Sequence, residues 1–133
     1  MTDLERRNLE AVKRWEHTYN DDVEKMVDEV YAPDCEVVDV FRGVTLRGRE
    51  QLRDLERRIL ASAPTRKLRV LKAVPSGDTV ALECEGIFPF GSFPACVFLV
   101  FDANAQVKQD HTYAPDPAGS TAKVHAERSA SGA

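Results

Sequence analysis

The carboxyl group of Asp39 is the first candidate for chemistry, because it lies in an otherwise apolar stretch of the sequence. Two valines precede it, and Val40 and Phe41 follow it. Burial disfavours the ionised form of a carboxyl group, so a buried carboxylate becomes a stronger base. Such a group is suited to remove a proton from a carbon next to a carbonyl group. The alternative is that Asp39 caps a turn or pairs with Arg42 or Arg47 at a rim.

A second carboxyl group, that of Asp110, is expected to share the site if it faces the same way as Asp39. Side chains alternate between the two faces of a strand. In the last predicted strand, residues 106–113, this alternation places Asp110 and Thr112 on the inner face. Two carboxyl groups that lie close together favour the protonated form of one of them. The alternative for Asp110 is a position at the strand end, facing solvent.

The candidate substrate-binding residues share an inward position on the predicted elements. They are Trp15, Tyr19, Phe41, Leu82, Cys84, Val97 and Thr112. A mainly apolar cleft with a few convergent polar groups is typical of a small-molecule site. The indole N–H and the phenol O–H need partners when they are buried, which makes both aromatics useful at a pocket wall. The alternatives are that Trp15 and Tyr19 are core aromatics and that Cys84 is a small buried hydrophobe.

Neither a metal nor another cofactor is expected at this site. His17 lies about 200° around its helix from Trp15, since each residue of a helix turns by about 100°. His111 alternates outward, and His125 follows the last strand. The three cysteines are widely spaced and odd in number, which predicts neither a disulfide framework nor a zinc site. A reducing cytoplasm is the location that fits them best.

The elements that must position these residues follow from hydrophobic spacing and turn signals. Residues 2–5, Thr-Asp-Leu-Glu, form a capping box that begins the first helix. The predicted helices cover residues 2–19, 23–30 and 49–60, and the predicted strands cover residues 35–41, 67–74, 79–88, 93–101 and 106–113. This order predicts an α+β fold, a cone-shaped roll in which three N-terminal helices and a curved, mostly antiparallel sheet enclose an apolar pocket.

One strand, residues 93–101, carries no charge on either of its alternating faces. An antiparallel strand with one solvated face would alternate polar and apolar residues. We therefore expect both faces to be covered, the outer one by a second subunit in a homodimer. The alternative cover is a loop or the C-terminal tail. Residues 1–114 are predicted to form the single domain, and residues 115–133, rich in Ala, Ser, Gly and Pro, a flexible tail.

The charge pattern argues against nucleic acid and membranes as partners. The net charge is −4, and no stripe of basic residues with interleaved aromatics is present. The run Glu56-Arg57-Arg58 is interpreted as the solvated face of a helix. No window approaches the eighteen apolar residues of a membrane span. The N-terminal segment lacks the apolar centre of a signal peptide.

Three motifs resemble the nuclear transport factor 2-like superfamily, over about residues 5–114. The most specific is Asn20-Asp-Asp-Val-Glu-Lys-Met-Val followed by Tyr31-Ala-Pro-Asp-Cys-Glu-Val-Val-Asp39. Gly48-Arg-Glu-Gln-Leu and Phe101-Asp-Ala-Asn-Ala-Gln-Val are similar to later parts of the fold. The superfamily includes ketosteroid isomerases, SnoaL-type polyketide cyclases and limonene epoxide hydrolases.

The resemblance implies that Asp39 occupies the position of the isomerases' general base. Trp15 and Val97 occupy the positions of their two oxyanion donors, and a valine side chain cannot donate a hydrogen bond. The carboxylates of the epoxide hydrolases are absent, because Cys84-Glu-Gly and His111-Thr-Tyr stand at the matching places. The expected function is a small cofactor-free isomerase or cyclase that abstracts a proton from a hydrophobic small molecule. The alternative is a non-catalytic ligand-binding or dimerisation module of the same fold.

Overall fold

The elements of the chain are known from a computed structural model that describes residues 1–115. All but the first residue of the predicted tail, residues 115–133, lies outside the described residues. The helical segments are α1 (Asp3–Asp21), α2 (Val23–Lys25) with a π-helical turn (Met26–Val30), and α3 (Arg49–Ser62). The strands are β1 (Tyr31–Asp39), β2 (Val44–Arg47), β3 (Lys67–Ser76), β4 (Thr79–Phe88), β5 (Gly91–Phe101) and β6 (Val107–Tyr113).

The strands form one curved sheet in the order β2-β1-β6-β5-β4-β3. Every neighbouring pair is antiparallel except β1 and β6, which run parallel. The parallel pair joins the first strand to the last and sets Val37 beside Asp110 and Asp39 beside Thr112. The predicted α+β architecture, with helices against a mostly antiparallel sheet, is confirmed.

The helix boundaries follow from capping residues. Thr2 and Glu5 form the predicted capping box, in which each side chain accepts the other's backbone N–H. Asp22 accepts a hydrogen bond from the backbone N–H of Lys25 and so begins α2. Each cap satisfies backbone donors that have no partner inside the helix. No helix within residues 1–115 has the length and apolar character needed to cross a membrane.

The segment between Gly43 and Gly48, which lies outside the strands and helices predicted from the sequence, forms strand β2. Val44 pairs with Asp39 and Leu46 with Val37 across an antiparallel hairpin. Four residues are too few to show a clear alternation in sequence. Gly43 has a φ of +66°, a conformation that glycine adopts at little cost.

The helices cover one face of the sheet and leave the other open within one chain. Ala11, Val12 and Trp15 of α1 are buried in a common core with inward residues of the sheet. On the opposite face of β5, Pro94, Cys96 and Phe98 are exposed. The core and the cavity described next therefore lie between the helices and the concave face.

Candidate functional site

A cavity of about 190 Å³ lies between α1, α3 and the inner face of the sheet. Its wall is mostly apolar, and its polar groups come from a few side chains of both layers. An apolar cavity of about 150 Å³ holds benzene, and pockets for drug-sized ligands begin near about 300 Å³. The volume therefore suits a molecule of one or two rings.

Asp110 is the buried carboxyl group at the sheet side of this cavity, with a side chain 4% exposed. The Tyr31 hydroxyl donates to its Oδ2 at 2.6 Å, and the Thr112 hydroxyl donates to its Oδ1 at 2.7 Å. The Trp15 indole N–H donates to the Tyr31 hydroxyl oxygen at 2.9 Å. Burial raises the pKa of Asp110, and the hydrogen bonds from Thr112 and Tyr31 oppose that rise.

The sheet places Asp110 and Thr112 on one face, as alternation along β6 predicts. Tyr31 was not predicted as a site residue, although it stands in the motif that carries the family resemblance. It is the first residue of β1, and its backbone N–H closes the π-helical turn by donating to the Met26 carbonyl oxygen. A π-helical turn is uncommon and occurs frequently at functional sites. Here it ends at the residue whose hydroxyl contacts Asp110.

Asp39 lies at the cavity wall with a charged partner. The Arg42 Nε donates to both carboxylate oxygens of Asp39, at 2.9 and 2.8 Å, and both side chains are largely buried. Arg42 also donates to the backbone carbonyl oxygen of Ala114. The arrangement matches the alternative in which Asp39 pairs with Arg42, whereas Arg47 pairs with Glu36. Asp39 and Arg42 together border the cavity on the side of the β1–β2 turn.

Glu56 of α3 is a third carboxyl group at the cavity, and its burial corrects the interpretation of residues 56–58 as a solvated face. Glu56 is 9% exposed, and burial raises its pKa to about 7, while the charge of Arg66 opposes that rise. The signal was present in the sequence. Glu56 follows Leu52 by four residues, a spacing that places both on one helix face. That face also carries Leu55, and both leucines line the cavity.

Tyr19 and Arg66 pack together beside Glu56. The Arg66 guanidinium lies 4.1 Å from the centre of the Tyr19 ring and donates to the Tyr19 carbonyl oxygen at 3.2 Å. Burial raises the pKa of the Tyr19 hydroxyl, so this group stays protonated and can donate a hydrogen bond. The hydroxyl makes no hydrogen bond to another residue within 1–115. Tyr19 therefore brings a free donor to the cavity.

The structure brings together most of the predicted site residues, though not all of them. Asp39, Asp110, Trp15, Tyr19, Val97 and Thr112 line the cavity. Phe41 does not, because β1 ends at Asp39 and alternation no longer sets its direction. Its side chain is 65% exposed and packs edge-to-face against Tyr113. Leu82 and Cys84 face the helices as predicted but are buried in the core instead of lining the cavity.

Cys84 has the properties of a buried hydrophobe. Burial raises its pKa to about 12, so its thiol remains protonated at neutral pH. All three cysteines are free thiols. Within residues 1–115, no group of three or more His, Cys, Asp or Glu is arranged to hold a metal ion.

Solved structures with the same fold are numerous. A protein from Jannaschia sp. CCS1, provisionally assigned as a SnoaL-like polyketide cyclase, has a TM-score of 0.74 and 16% identity over 86% of this chain and 89% of that chain. A hypothetical protein from Catenulispora acidiphila DSM 44928 with a ketosteroid isomerase-like fold, solved with trimethylamine, has a TM-score of 0.68 and 24% identity over 78% and 84%. A SnoaL-like protein of unknown function from Burkholderia thailandensis E264 has a TM-score of 0.70 and 18% identity over 83% and 95%.

At these identities the structural neighbours establish the fold alone. No curated protein matches the sequence. The profile of the SnoaL-like domain matches residues 12–120, which is most of the chain. The chain therefore belongs to the SnoaL-like domain family, within the nuclear transport factor 2-like superfamily.

Proposed function

We propose that this protein is a cofactor-free enzyme of isomerase or cyclase type, in which the Asp110 carboxyl group moves a proton on a small cyclic ketone. The observation that carries the proposal is Asp110 itself, buried in an apolar cavity and hydrogen-bonded by Tyr31 and Thr112. Titratable groups with a raised pKa in a cleft are frequent among catalytic groups. The provisional assignment of the Jannaschia neighbour as a polyketide cyclase supports the same reaction class.

The contacts favour Asp110 over Asp39 as the proton-transferring group. Both oxygens of Asp39 accept hydrogen bonds from the Arg42 Nε within an ion pair, so fewer of their lone pairs are open to a substrate proton. Asp110 has hydrogen-bond donors but no cationic ion-pair partner within the part of the chain that the structure describes. Its burial strengthens the carboxylate as a base, because burial raises its pKa.

The polar groups of the cavity suggest how the reaction proceeds. Each Asp110 oxygen accepts one hydrogen bond and keeps a lone pair for the substrate proton. The Tyr19 hydroxyl is free to donate to the substrate carbonyl oxygen. Removal of a proton beside that carbonyl produces an enolate, whose charge such a donor stabilises. If the ketone carries a β,γ double bond, the dienolate takes the proton back from Asp110 at the γ carbon. Otherwise the enolate carbon attacks a second carbonyl group within the same molecule, and the alkoxide that forms takes the proton from Asp110.

Hydrogen–deuterium exchange tests the proposal without knowledge of the natural substrate. Cyclohexanone and 2-tetralone in D₂O exchange the hydrogens beside their carbonyl groups, and proton NMR follows the loss. We expect the protein to accelerate this exchange and Asp110→Asn to reduce the acceleration by about 10²- to 10⁴-fold, the usual contribution of a general base. Asp34→Asn, at an exposed position, is the matched control.

Two results would contradict the assignment of Asp110. If Asp39→Asn abolishes exchange and Asp110→Asn retains it, Asp39 is the base that the family resemblance implies. If the protein binds both ketones but accelerates neither, the alternative of a non-catalytic binding module holds. That alternative draws support from Val97, which stands where the isomerases have an oxyanion donor.

We also propose that the protein is a homodimer through the outer face of the sheet. Tyr113 packs edge-to-face between Phe41 and Phe98 there, with ring centres 5.9 and 6.0 Å apart. A large exposed apolar patch marks an interaction surface. Sedimentation equilibrium tests the proposal: Phe98→Glu should yield monomers, whereas Leu4→Glu, on exposed α1, should not. A wild-type protein that is monomeric at micromolar concentration would refute it.

A further inference from the structure

The Glu56 carboxyl group plays no part in the proton transfer proposed above. It lines the cavity from α3 and is 9% exposed. Its Oε2 is fully enclosed and makes no hydrogen bond with any residue in the described range 1–115. More than nine-tenths of buried polar groups have a hydrogen-bond partner, so an acceptor without one requires an explanation.

The neighbouring charge of Arg66 does not supply that partner. The Arg66 guanidinium stacks on the Tyr19 ring and donates to the Tyr19 carbonyl oxygen. Within residues 1–115, it forms no ion pair with Glu56, although its charge acts on Glu56 from a longer distance. Arg66 therefore makes the surroundings of Glu56 more positive while leaving Oε2 without a donor.

The part of the cavity wall that α3 forms around Glu56 is otherwise apolar. Leu52, Leu55 and Ile59 of the same helix line the cavity with it. If the ring of a ligand packs against these three side chains, a polar group on that ring can lie close to the Glu56 carboxyl group. Asp110 lies on the other layer, in the sheet, so a single molecule can contact both carboxyl groups.

We propose that Glu56 is a substrate-binding residue that accepts a hydrogen bond from a hydroxyl group on a small cyclic substrate. This deepens the proposed function, on which it rests for the identity of the cavity as the substrate site. The substrate class is therefore a hydroxylated ring compound of one or two rings. A neutral hydroxyl group is preferred to a cationic amine, because moving a charge from water into an apolar cavity costs far more than moving a hydroxyl group.

Selectivity follows from the cost of leaving a buried acceptor without a partner. A site built to hydrogen-bond a hydroxyl group discriminates strongly against analogues that lack it. An ether oxygen cannot satisfy Glu56, because it has no hydrogen to donate. In a cavity without the carboxylate the order reverses, because the hydroxyl group loses its hydrogen bonds to water and gains none.

Benzyl alcohol and anisole are suitable probes, because they are isomers of nearly the same size and only the alcohol donates a hydrogen bond. Their binding can be followed by the fluorescence of Trp15, the only tryptophan, which lines the cavity, and by two-dimensional NMR. At pH 8.5, above the pKa of about 7, Glu56 is ionised. We expect the wild-type protein to bind benzyl alcohol about tenfold more tightly than anisole, the effect of one hydrogen bond to a charged group.

Three variants assign the preference to Glu56. Glu56→Leu should reverse it, and Glu56→Gln, which keeps an acceptor oxygen, should retain part of it. Glu83→Gln, at an exposed position on β4, should leave it unchanged. If Glu56→Leu fails to fold, the ratio in the wild-type protein and in Glu56→Gln decides. Equal affinities for the two isomers, or no saturable binding of either, would overturn the proposal.

The same measurement separates this inference from the proposed reaction. Asp110→Asn should lose ketone exchange and keep the preference for benzyl alcohol. A preference that survives in Glu56→Leu and disappears in Asp110→Asn would show that Asp110 binds the hydroxyl group and would refute the role of Glu56. If the wild-type protein does not accelerate ketone exchange, the proposed reaction fails, but the ratio of the affinities for benzyl alcohol and anisole still tests the role of Glu56.

Discussion

Glu56→Gln should become more stable relative to the wild-type protein as the pH rises from 4.5 to 8. Burial raises the pKa of Glu56 from its usual 4.5 to about 7 in the folded protein. The folded state therefore holds a proton that the unfolded state releases between these two values. Stability falls with rising pH wherever the folded state binds more protons than the unfolded state. The wild-type protein thus loses stability between pH 4.5 and 7, and the loss is complete above pH 7.

The size of this loss follows from the two pKa values. The difference between 4.5 and about 7 corresponds to about 3–4 kcal/mol, at about 1.4 kcal/mol for each pH unit, and the part between pH 4.5 and pH 8 is slightly smaller because the unfolded group is already half ionised at pH 4.5. Glutamine does not titrate, so the variant does not lose this part of the free energy of unfolding. Asp110 titrates in both proteins, and its charge is one of the causes that raise the pKa of Glu56, so the comparison includes this coupling. The free energy of unfolding of Glu56→Gln minus that of the wild type should therefore increase by about 3 kcal/mol from pH 4.5 to pH 8.

Urea denaturation followed by circular dichroism, at pH steps between 4.5 and 8, measures this difference. Only its change with pH tests the reasoning, because the substitution also adds a constant offset from the altered packing of the side chain at position 56. Glu83→Gln is the control, since an exposed carboxylate should give a flat difference. A flat difference for Glu56→Gln as well would refute the claim that Glu56 is buried without a partner. A gain that appears as predicted means that the protein retains a destabilising carboxylate, which is typical of functional sites.

Two further substitutions test the packing around the cavity. Tyr31→Phe removes the donor to Asp110 and leaves the buried Trp15 N–H without an acceptor. We expect the free energy of unfolding in urea to fall by about 1–3 kcal/mol and the pH profile of ketone exchange to shift upward. An unchanged profile would contradict the contact between Tyr31 and Asp110. Leu82→Ala truncates a core side chain that does not line the cavity. We expect the free energy of unfolding to fall by about 2–5 kcal/mol and the affinity for benzyl alcohol to be retained. A large loss of affinity in the folded variant would show that Leu82 contacts the ligand.

Alternation of side chains was sufficient to place the sheet side of the site. Asp110 and Thr112 face the cavity because β6 is a regular strand at these residues, so every second side chain points the same way. The same rule gave the wrong direction for Phe41, because β1 ends at Asp39 and the chain turns towards β2. The pairing of Asp39 with Arg42 depends on the shape of that turn, which no periodicity encodes.

The helix side of the site was harder to predict, because Glu56 is a charged residue on the apolar face of its helix. Glu56 begins a run of three charged residues, and such runs are usually solvated. Its spacing from Leu52 places it on the apolar face of α3, and there it is buried although its side chain is charged. Tyr31 and Arg66 depend on contacts between elements distant in sequence. Tyr31 meets Asp110 seventy-nine residues later, and only the assembled sheet reveals that contact.

The place of β6 in the sheet has a consequence for how the chain acquires its structure during synthesis. β6 is the last strand within residues 1–115 to leave the ribosome, yet it lies between β1 and β5 in the middle of the sheet. Until it arrives, the growing chain holds two separate groups of strands, each with an unpaired edge that can bind other chains. Contacts between distant segments also form slowly. A chain truncated before residue 107 would therefore be an aggregation-prone fragment, and Asp110, the proposed acid–base group, would be missing from it.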